Sequence, residues 1–376
     1  MINCPQFYQL LMNNRISFFT GVPDSLLKDF CAYVQDHTPP ERHLIAANEG
    51  NAIALAAGNY LATGKIGLVY MQNSGLGNCI NPLTSLTDPE VYSIPVLLLI
   101  GWRAEPGVKD EPQHKKMGRV MLNLLQSLEI PYSILPANPS DAEKSVEEAV
   151  RVMAKNKAPY ALVVKNETFE AYQLQKKHNT DLPLNREQAL QAVVSFLDEQ
   201  DIVVSTTGKT SRELFELRKE LSQGHQKDFL TVGCMGHASS IALGIALQKP
   251  EQHVYCFDGD GAVIMHMGAL STIGKIQPAN FRHIIFNNFA HDSVGGQPTA
   301  ADVVNFPALA SINGYKAAFS AETAEEIRMF VGKMKTMAGP VLLEIRCNKG
   351  ARENLGRPTR TPIENKEDFM DFVRFS

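Results

Sequence analysis

The stretch VYCFDGDGAVIMHMGALSTIGKIQPANFRHIIFNN, Val254 to Asn288, decides the reading of this chain. An apolar run, VYCF, enters Asp258-Gly259-Asp260-Gly261. A helical pattern over 262–273 follows, and a second run, HIIF, ends in Asn287-Asn288. Run, helix, run is a βαβ unit, which sets the carboxyl ends of two parallel strands side by side. The glycines flanking Asp260 allow a tight turn and bring backbone N–H groups close to a ligand. A carboxylate there repels a bare diphosphate unless a divalent cation lies between them. Asp260 and an Asn from the next strand tip supply the hard oxygen ligands that suit magnesium. Gly-Asp-Gly alone also reads as an ordinary βα turn. The strand, helix and paired Asn in this order favour a metal–diphosphate clamp.

Working outward, the same alternation recurs along the chain. Strands are expected at 202–205, 253–257, 283–286 and 341–346, with helices at 187–197, 211–221, 237–247, 262–273 and 324–334. Before the polar segment 166–186, strands are expected at 16–20, 66–71, 95–100, 131–135 and 160–165, and helices at 25–35, 52–62, 115–128 and 141–155. Near-continuous apolar strands separated by helices indicate parallel sheets covered on both faces. The expected organisation is α/β, two doubly wound parallel-sheet domains at 1–165 and 187–376 joined by a linker at 166–186, with ligands at the carboxyl ends of the strands.

The 376 residues fit two domains, and 44% hydrophobic with 20% charged residues excludes a disordered or fibrous chain. Lys plus Arg is 36 and Asp plus Glu is 40, a net charge of −4, which gives no field for nucleic acid or an anionic membrane. Cys4, Cys31, Cys79, Cys234, Cys256 and Cys347 form no CxxC pair or zinc spacing, and fit buried reduced thiols. The start MINCPQFYQLLMNNR shows no signal peptide, and the apolar run 94–102 is too short to span a bilayer. A cytoplasmic protein is expected. A dinucleotide site fares badly: Ser74-Gly75-Leu76-Gly77-Asn78 offers only G-x-G.

Gly259-Asp260-Gly261 through Asn287-Asn288 resembles the thiamine diphosphate-binding fold of the 2-oxo acid decarboxylases. The resemblance implies a pyrimidine-binding first domain, a diphosphate-binding second domain, thiamine diphosphate as cofactor and Mg2+ as its metal. Carried over by position, Asp260, the Asn288 side chain and the Ala290 carbonyl are the metal ligands. Gly259, Gly261 and Ala262 line the diphosphate turn, and Thr207-Gly208 resembles a second loop touching the diphosphate. In Gly233-Cys234-Met235-Gly236-His237, Met235 takes the place of the apolar wedge under the cofactor, with Gly236 and His237 opening a helix near the diphosphate. Met235 by itself reads equally well as a core residue. Glu49, in Ala46-Ala47-Asn48-Glu49-Gly50-Asn51 before AIALAAG, matches the family's catalytic glutamate. Its carboxyl group favours the imino form of the aminopyrimidine, whose nitrogen then takes the proton from the reactive carbon. Alone, Glu49 reads as a carboxylate complementing a helix dipole.

The chain departs from the long decarboxylases. No third domain separates the halves, the catalytic His-His pair is missing, and 291–299 (HDSVGGQPT) lacks the Glu that follows the metal loop. Gly21–Leu27, Gln72–Asn78, Gly101-Trp102-Arg103, Glu111–Lys115, His291–Gln297 and Leu355–Pro358 resemble the compact branch, whose 2-oxo acids carry a phosphonate or a sulfonate. Non-oxidative decarboxylation of a phosphonate 2-oxo acid in phosphonate biosynthesis is expected, the sulfonate acid being the alternative. Candidate substrate residues are Asp24, Ser25, Asn73, Arg103, His114 and Lys115. Lys109 and Lys116 join the basic cluster after the 95–100 strand; Lys349, Arg352, Arg357 and Arg360 form another in the tail. Cationic groups suit tetrahedral anions, though each also reads as solvated surface. The family places Glu and clamp in different subunits, so a homo-oligomer with active sites at subunit interfaces is expected.

Overall fold

Runs such as Val96–Gly101 contain almost nothing but apolar residues, and every one of their side chains is buried. Alternate residues serve opposite faces of the sheet. Leu97 and Leu99 join one core, while Val96, Leu98 and Ile100 join the other. That is the signature of a parallel sheet covered by helices on both sides. The computed structural model describes residues 1–176 and 180–375, which divide into two units, Met1–Lys177 and His178–Ser376.

The first unit holds β1 (Phe18–Gly21), β2 (His43–Ile45), β3 (Gly67–Gln72), β4 (Val96–Gly101), β5 (Tyr132–Ile134) and β6 (Tyr160–Val164). They form one parallel sheet in the order β2-β1-β3-β4-β6-β5. The second holds β7 (Ile202–Ser205), β8 (Asp228–Leu230), β9 (Val254–Gly259), β10 (Phe281–Asn287), β11 (Ala317–Ala321) and β12 (Val341–Arg346). Their order is β11-β12-β10-β9-β7-β8, again parallel throughout. In both sheets the order reverses near the middle, so both are doubly wound, as expected from the sequence.

The structure adds strands that the sequence pattern leaves out: β2, β8 and β11, all three short and at sheet edges. Additional helices lie at Cys4–Asn13, Leu76–Ser85, Phe306–Ile312 and Pro362–Phe375. The expected helix over 262–273 is broken into Asp260–Met265 and Ala269–Ile276. The segment 166–176 lies along the first unit: Phe169 stacks on Phe30, and Tyr172 N–H donates to Asp29 at 3.0 Å. Cys234 corrects the reading of six buried thiols, for it is exposed, while the other five are buried.

Candidate active site

In the second unit β7, β9 and β10 are neighbours, and the carboxyl ends of β9 and β10 bring Asp260 and Asn288 together. The register sets Gly259 beside Phe286, so Asp260 and Asn288 emerge from adjacent strand tips. Asp260 opens the short helix Asp260–Met265 and is 2% exposed. The Thr299 hydroxyl donates to Asp260 Oδ2, and the backbone N–H groups of Asn288 and Gly261 also reach its carboxyl. Burial nevertheless outweighs these donors and pushes the Asp260 carboxyl up to about 6. Several donors have not compensated its desolvation, and a cation would. Asn288 is also buried; its Oδ1 accepts from Ala290 N at 3.2 Å, which folds the Asn288–Ala290 turn over the strand tip. These residues fit a hard divalent cation.

Around Asp260 and Asn288 lie the other residues expected from the sequence. Thr207 and Gly208 form the turn after β7, and Gly208, at φ 97, starts the helix Lys209–Glu220. Only glycine adopts that conformation without strain, and a side chain there would also strike Ser293, 2.8 Å away. A methyl at Gly261 would come within 3.3 Å of the Met235 side chain and 3.2 Å of His291 and Thr299. Met235 therefore abuts the Gly259–Gly261 turn rather than filling a distant core. Gly236 packs on the Ala262 carbonyl, and the His237 ring lies 4.4 Å from that of His266.

Three further residues near Asp260 and Gly208 have no role in the sequence reading. Thr299 carries no local signal, because its role depends on a hydrogen bond to a residue far back in the chain. His291 is pushed down to about 4 by burial, so its imidazole is neutral at pH 7. Arg186, itself buried, donates to Glu213 at 2.7 Å and to Asp292 at 3.0 Å, and Lys209 also pairs with Asp292. Burial opposes the charge on Asp292, but the two cations outweigh it and hold its carboxyl below the usual range. This network ties the 291–297 loop to two helices.

In the first unit Glu49 is the first residue of the helix Glu49–Thr63, whose N-cap Asn48 accepts from Asn51 N at 2.9 Å. Glu49 is 6% exposed, and its Oε2 accepts from Asn78 Nδ2 at 2.7 Å. Gly75 closes on the other oxygen: a methyl there would lie 2.2 Å from Glu49 Oε1.

Asp24, Ser25, Asn73 and Arg103 come together at the ends of β1, β3 and β4. Arg103 donates to Ser25 Oγ at 2.7 Å and to both oxygens of Asp110, and Asn73 Nδ2 donates to the Arg103 carbonyl at 2.9 Å. Asp24 is fully buried, which pushes its carboxyl up to about 6. His114 is pushed down to about 4 by burial and by Arg103. Lys115 is exposed, as are Lys109 and Lys116, and joins none of these contacts. In the tail, Arg352 is ion-paired with Glu187 and Glu216, and Arg360 with Asp368; these two serve structure rather than an anion site.

Comparison with known proteins gives this geometry its setting. The model described as "Thiamine pyrophosphate enzyme, N-terminal TPP binding domain" matches residues 5–123, and its C-terminal TPP binding domain counterpart matches 206–345. A phosphonopyruvate decarboxylase of Streptomyces viridochromogenes is 34% identical over 95% of this chain and 91% of its own length. The chain belongs to the phosphonopyruvate decarboxylase family of thiamine pyrophosphate enzymes. A second phosphonopyruvate decarboxylase, from Streptomyces hygroscopicus, is 34% identical over 99% of this chain and 94% of its own. A sulfopyruvate decarboxylase of Methanosarcina acetivorans is more distant, 27% identical over 78% of this chain and 77% of its own. Members of the family are decarboxylases that use thiamine diphosphate. Both cofactor-binding units are present, with no domain between them. Among the described residues, no helix is long and apolar enough to cross a membrane.

Proposed function

We propose that this enzyme converts 3-phosphonopyruvate to phosphonoacetaldehyde and CO2, with thiamine diphosphate held through Mg2+. The observation that carries the reading is the buried Asp260 carboxyl beside Asn288, in a chain that matches two phosphonopyruvate decarboxylases along nearly its whole length. When bound, the cofactor supplies a nucleophilic carbon and a ring that takes up the electrons released with CO2.

The chain's own residues position and protonate. Asp260, Asn288 and the Ala290 carbonyl hold the metal. Thr207, Gly208, Gly236, His237, Gly259, Gly261 and Ala262 shape the diphosphate site, and Met235 supports the cofactor's bend. Glu49 holds a proton at the aminopyrimidine ring. Asp24, Ser25, Asn73, Arg103 and His114 receive the substrate. The active enzyme is a homo-oligomer whose sites are completed across subunits; full specific activity in a monomer would contradict this. Six free cysteines accord with a reducing, cytoplasmic setting.

The test is to supply 3-phosphonopyruvate and 3-sulfopyruvate side by side and follow CO2 release. Faster turnover of the phosphonate acid is expected. Release from sulfopyruvate alone would transfer the reading to the alternative acid, and release from neither would remove it.

A further inference from the structure

Two buried acceptors without partners mark the strand ends of the first unit. Asn73 follows β3 and is fully buried. Its amide orientation is fixed, because Nδ2 donates to the Arg103 carbonyl at 2.9 Å. Oδ1 is therefore the remaining atom, and it has no hydrogen-bond partner among the described residues. Asp24 follows β1; its Oδ2 accepts from Leu26 N at 2.8 Å, while Oδ1 is likewise buried and unpartnered. A buried acceptor left unpaired is costly, so each such atom calls for a donor.

The strands that carry these residues are adjacent. Gln72, just before Asn73, pairs with Gly101 of β4. A methyl at Gly101 would lie 2.2 Å from Asp24 Oδ2, so the β4 end packs directly on Asp24. Arg103 follows two residues later. Asp110 holds its guanidinium from one side at 2.8 and 2.5 Å, and Ser25 Oγ takes a third N–H at 2.7 Å. Three of the five guanidinium donors are thus engaged, and two are left for an anion.

Donors and unpaired acceptors in one place suit a ligand that offers both. A phosphonate does so, because its second proton is weakly acidic: phosphate monoesters lose theirs near pH 6, as a rough guide. Its singly protonated form has anionic oxygens and one P–OH donor. A sulfonate has the same tetrahedral shape but no proton to donate.

We propose that the carboxyl ends of β1, β3 and β4 form the subsite for the substrate's phosphonate, in which Arg103 donates to its anionic oxygens and Asn73 Oδ1 accepts from its P–OH. Asp110 is the positioning residue of Arg103. The subsite distinguishes a phosphonate from a sulfonate by that one hydrogen bond, since a sulfonate leaves Asn73 Oδ1 buried and unpaired. This inference rests on the phosphonopyruvate reading above.

The experiment measures kcat/KM for 3-phosphonopyruvate and 3-sulfopyruvate with the holoenzyme, in the wild type and in Asn73→Ala. The ratio of the two values within one preparation is independent of the fraction of active enzyme. The wild type is expected to favour the phosphonate by roughly tenfold or more, and Asn73→Ala to reduce that preference by about tenfold. Arg103→Lys is expected to weaken both acids together. An unchanged ratio in Asn73→Ala overturns the proposal. Should that variant lack activity on both acids, wild-type inhibition by 3-phosphonopropionate and 3-sulfopropionate decides: tighter binding of the phosphonate by roughly tenfold supports the subsite, and equal binding overturns it. A wild type that decarboxylates both acids equally also removes the subsite and leaves the decarboxylase reading standing. A wild type that decarboxylates neither removes the decarboxylase reading itself.

Discussion

The side-chain amide of Asn78 donates to Glu49 Oε2 at 2.7 Å, while the Cα of Gly75 lies against Glu49 Oε1. The carboxyl group is thereby fixed from two sides by the turn and helix that follow β3. Replacing Glu49 by Gln keeps the shape and the Asn78 contact but removes the proton-holding carboxyl. We predict that Glu49→Gln binds thiamine diphosphate within a few-fold of wild type and loses about 10²–10⁴ in kcat, as removal of a general acid–base group does. Cofactor titration alongside steady-state turnover checks this; unchanged kcat would exclude the assigned role.

Gly75 gives a steric test of the same carboxyl. Its backbone lies in an ordinary helical region, at φ −71, so alanine is tolerated by the chain itself. The added methyl, however, would lie 2.2 Å from Glu49 Oε1. Gly75→Ala is expected to lower kcat by about tenfold or more through displacement of Glu49, because small misplacements of catalytic groups are costly. A variant with wild-type kcat would show that the orientation of Glu49 is unimportant.

Asp24 supplies a pH signature. Its folded pKa is raised to about 6 by burial, above the unfolded carboxyl value. Stability from this group is fully present below the unfolded value near 4 and is lost as pH rises through about 6. Asp24→Asn should therefore match the wild type in stability near pH 4 and exceed it by up to about 3 kcal/mol at pH 8. Chemical denaturation of the cofactor-free protein at the two pH values measures this. A constant difference across pH would mean that Asp24 does not titrate in this way.

Most of the architecture was legible because central strands of covered parallel sheets are continuous apolar runs, as in β4 and β9. The edge strands β2 and β8 escaped detection. Each has three residues, and His43 and Asp228 put polar groups where the pattern expects apolar ones. The break in the 262–273 helix was hidden for another reason: His266 leaves the helical path where it packs against Gly236 and His237, a contact made in space. At the site, Gly-Asp-Gly and the paired Asn were visible as local motifs. Thr299 and Asn78 were not, since each acts by a hydrogen bond to a residue far away in the chain, and Asp110, only seven residues from Arg103, has no distinctive spacing of its own. Arg352 shows the converse, a cation that looked free in sequence and is neutralised by glutamates brought near by the fold.

The central claim is that Asp260 and Asn288 grip the cofactor's diphosphate through a divalent ion. Its most direct measurement is equilibrium binding of thiamine diphosphate, with and without Mg2+, to the wild type and to Asp260→Ala. The account predicts magnesium-dependent binding in the wild type and a loss in the variant greater than the ~10–100-fold typical of an outer-shell partner of a metal. Wild-type affinity in Asp260→Ala at the same Mg2+ concentration would contradict it.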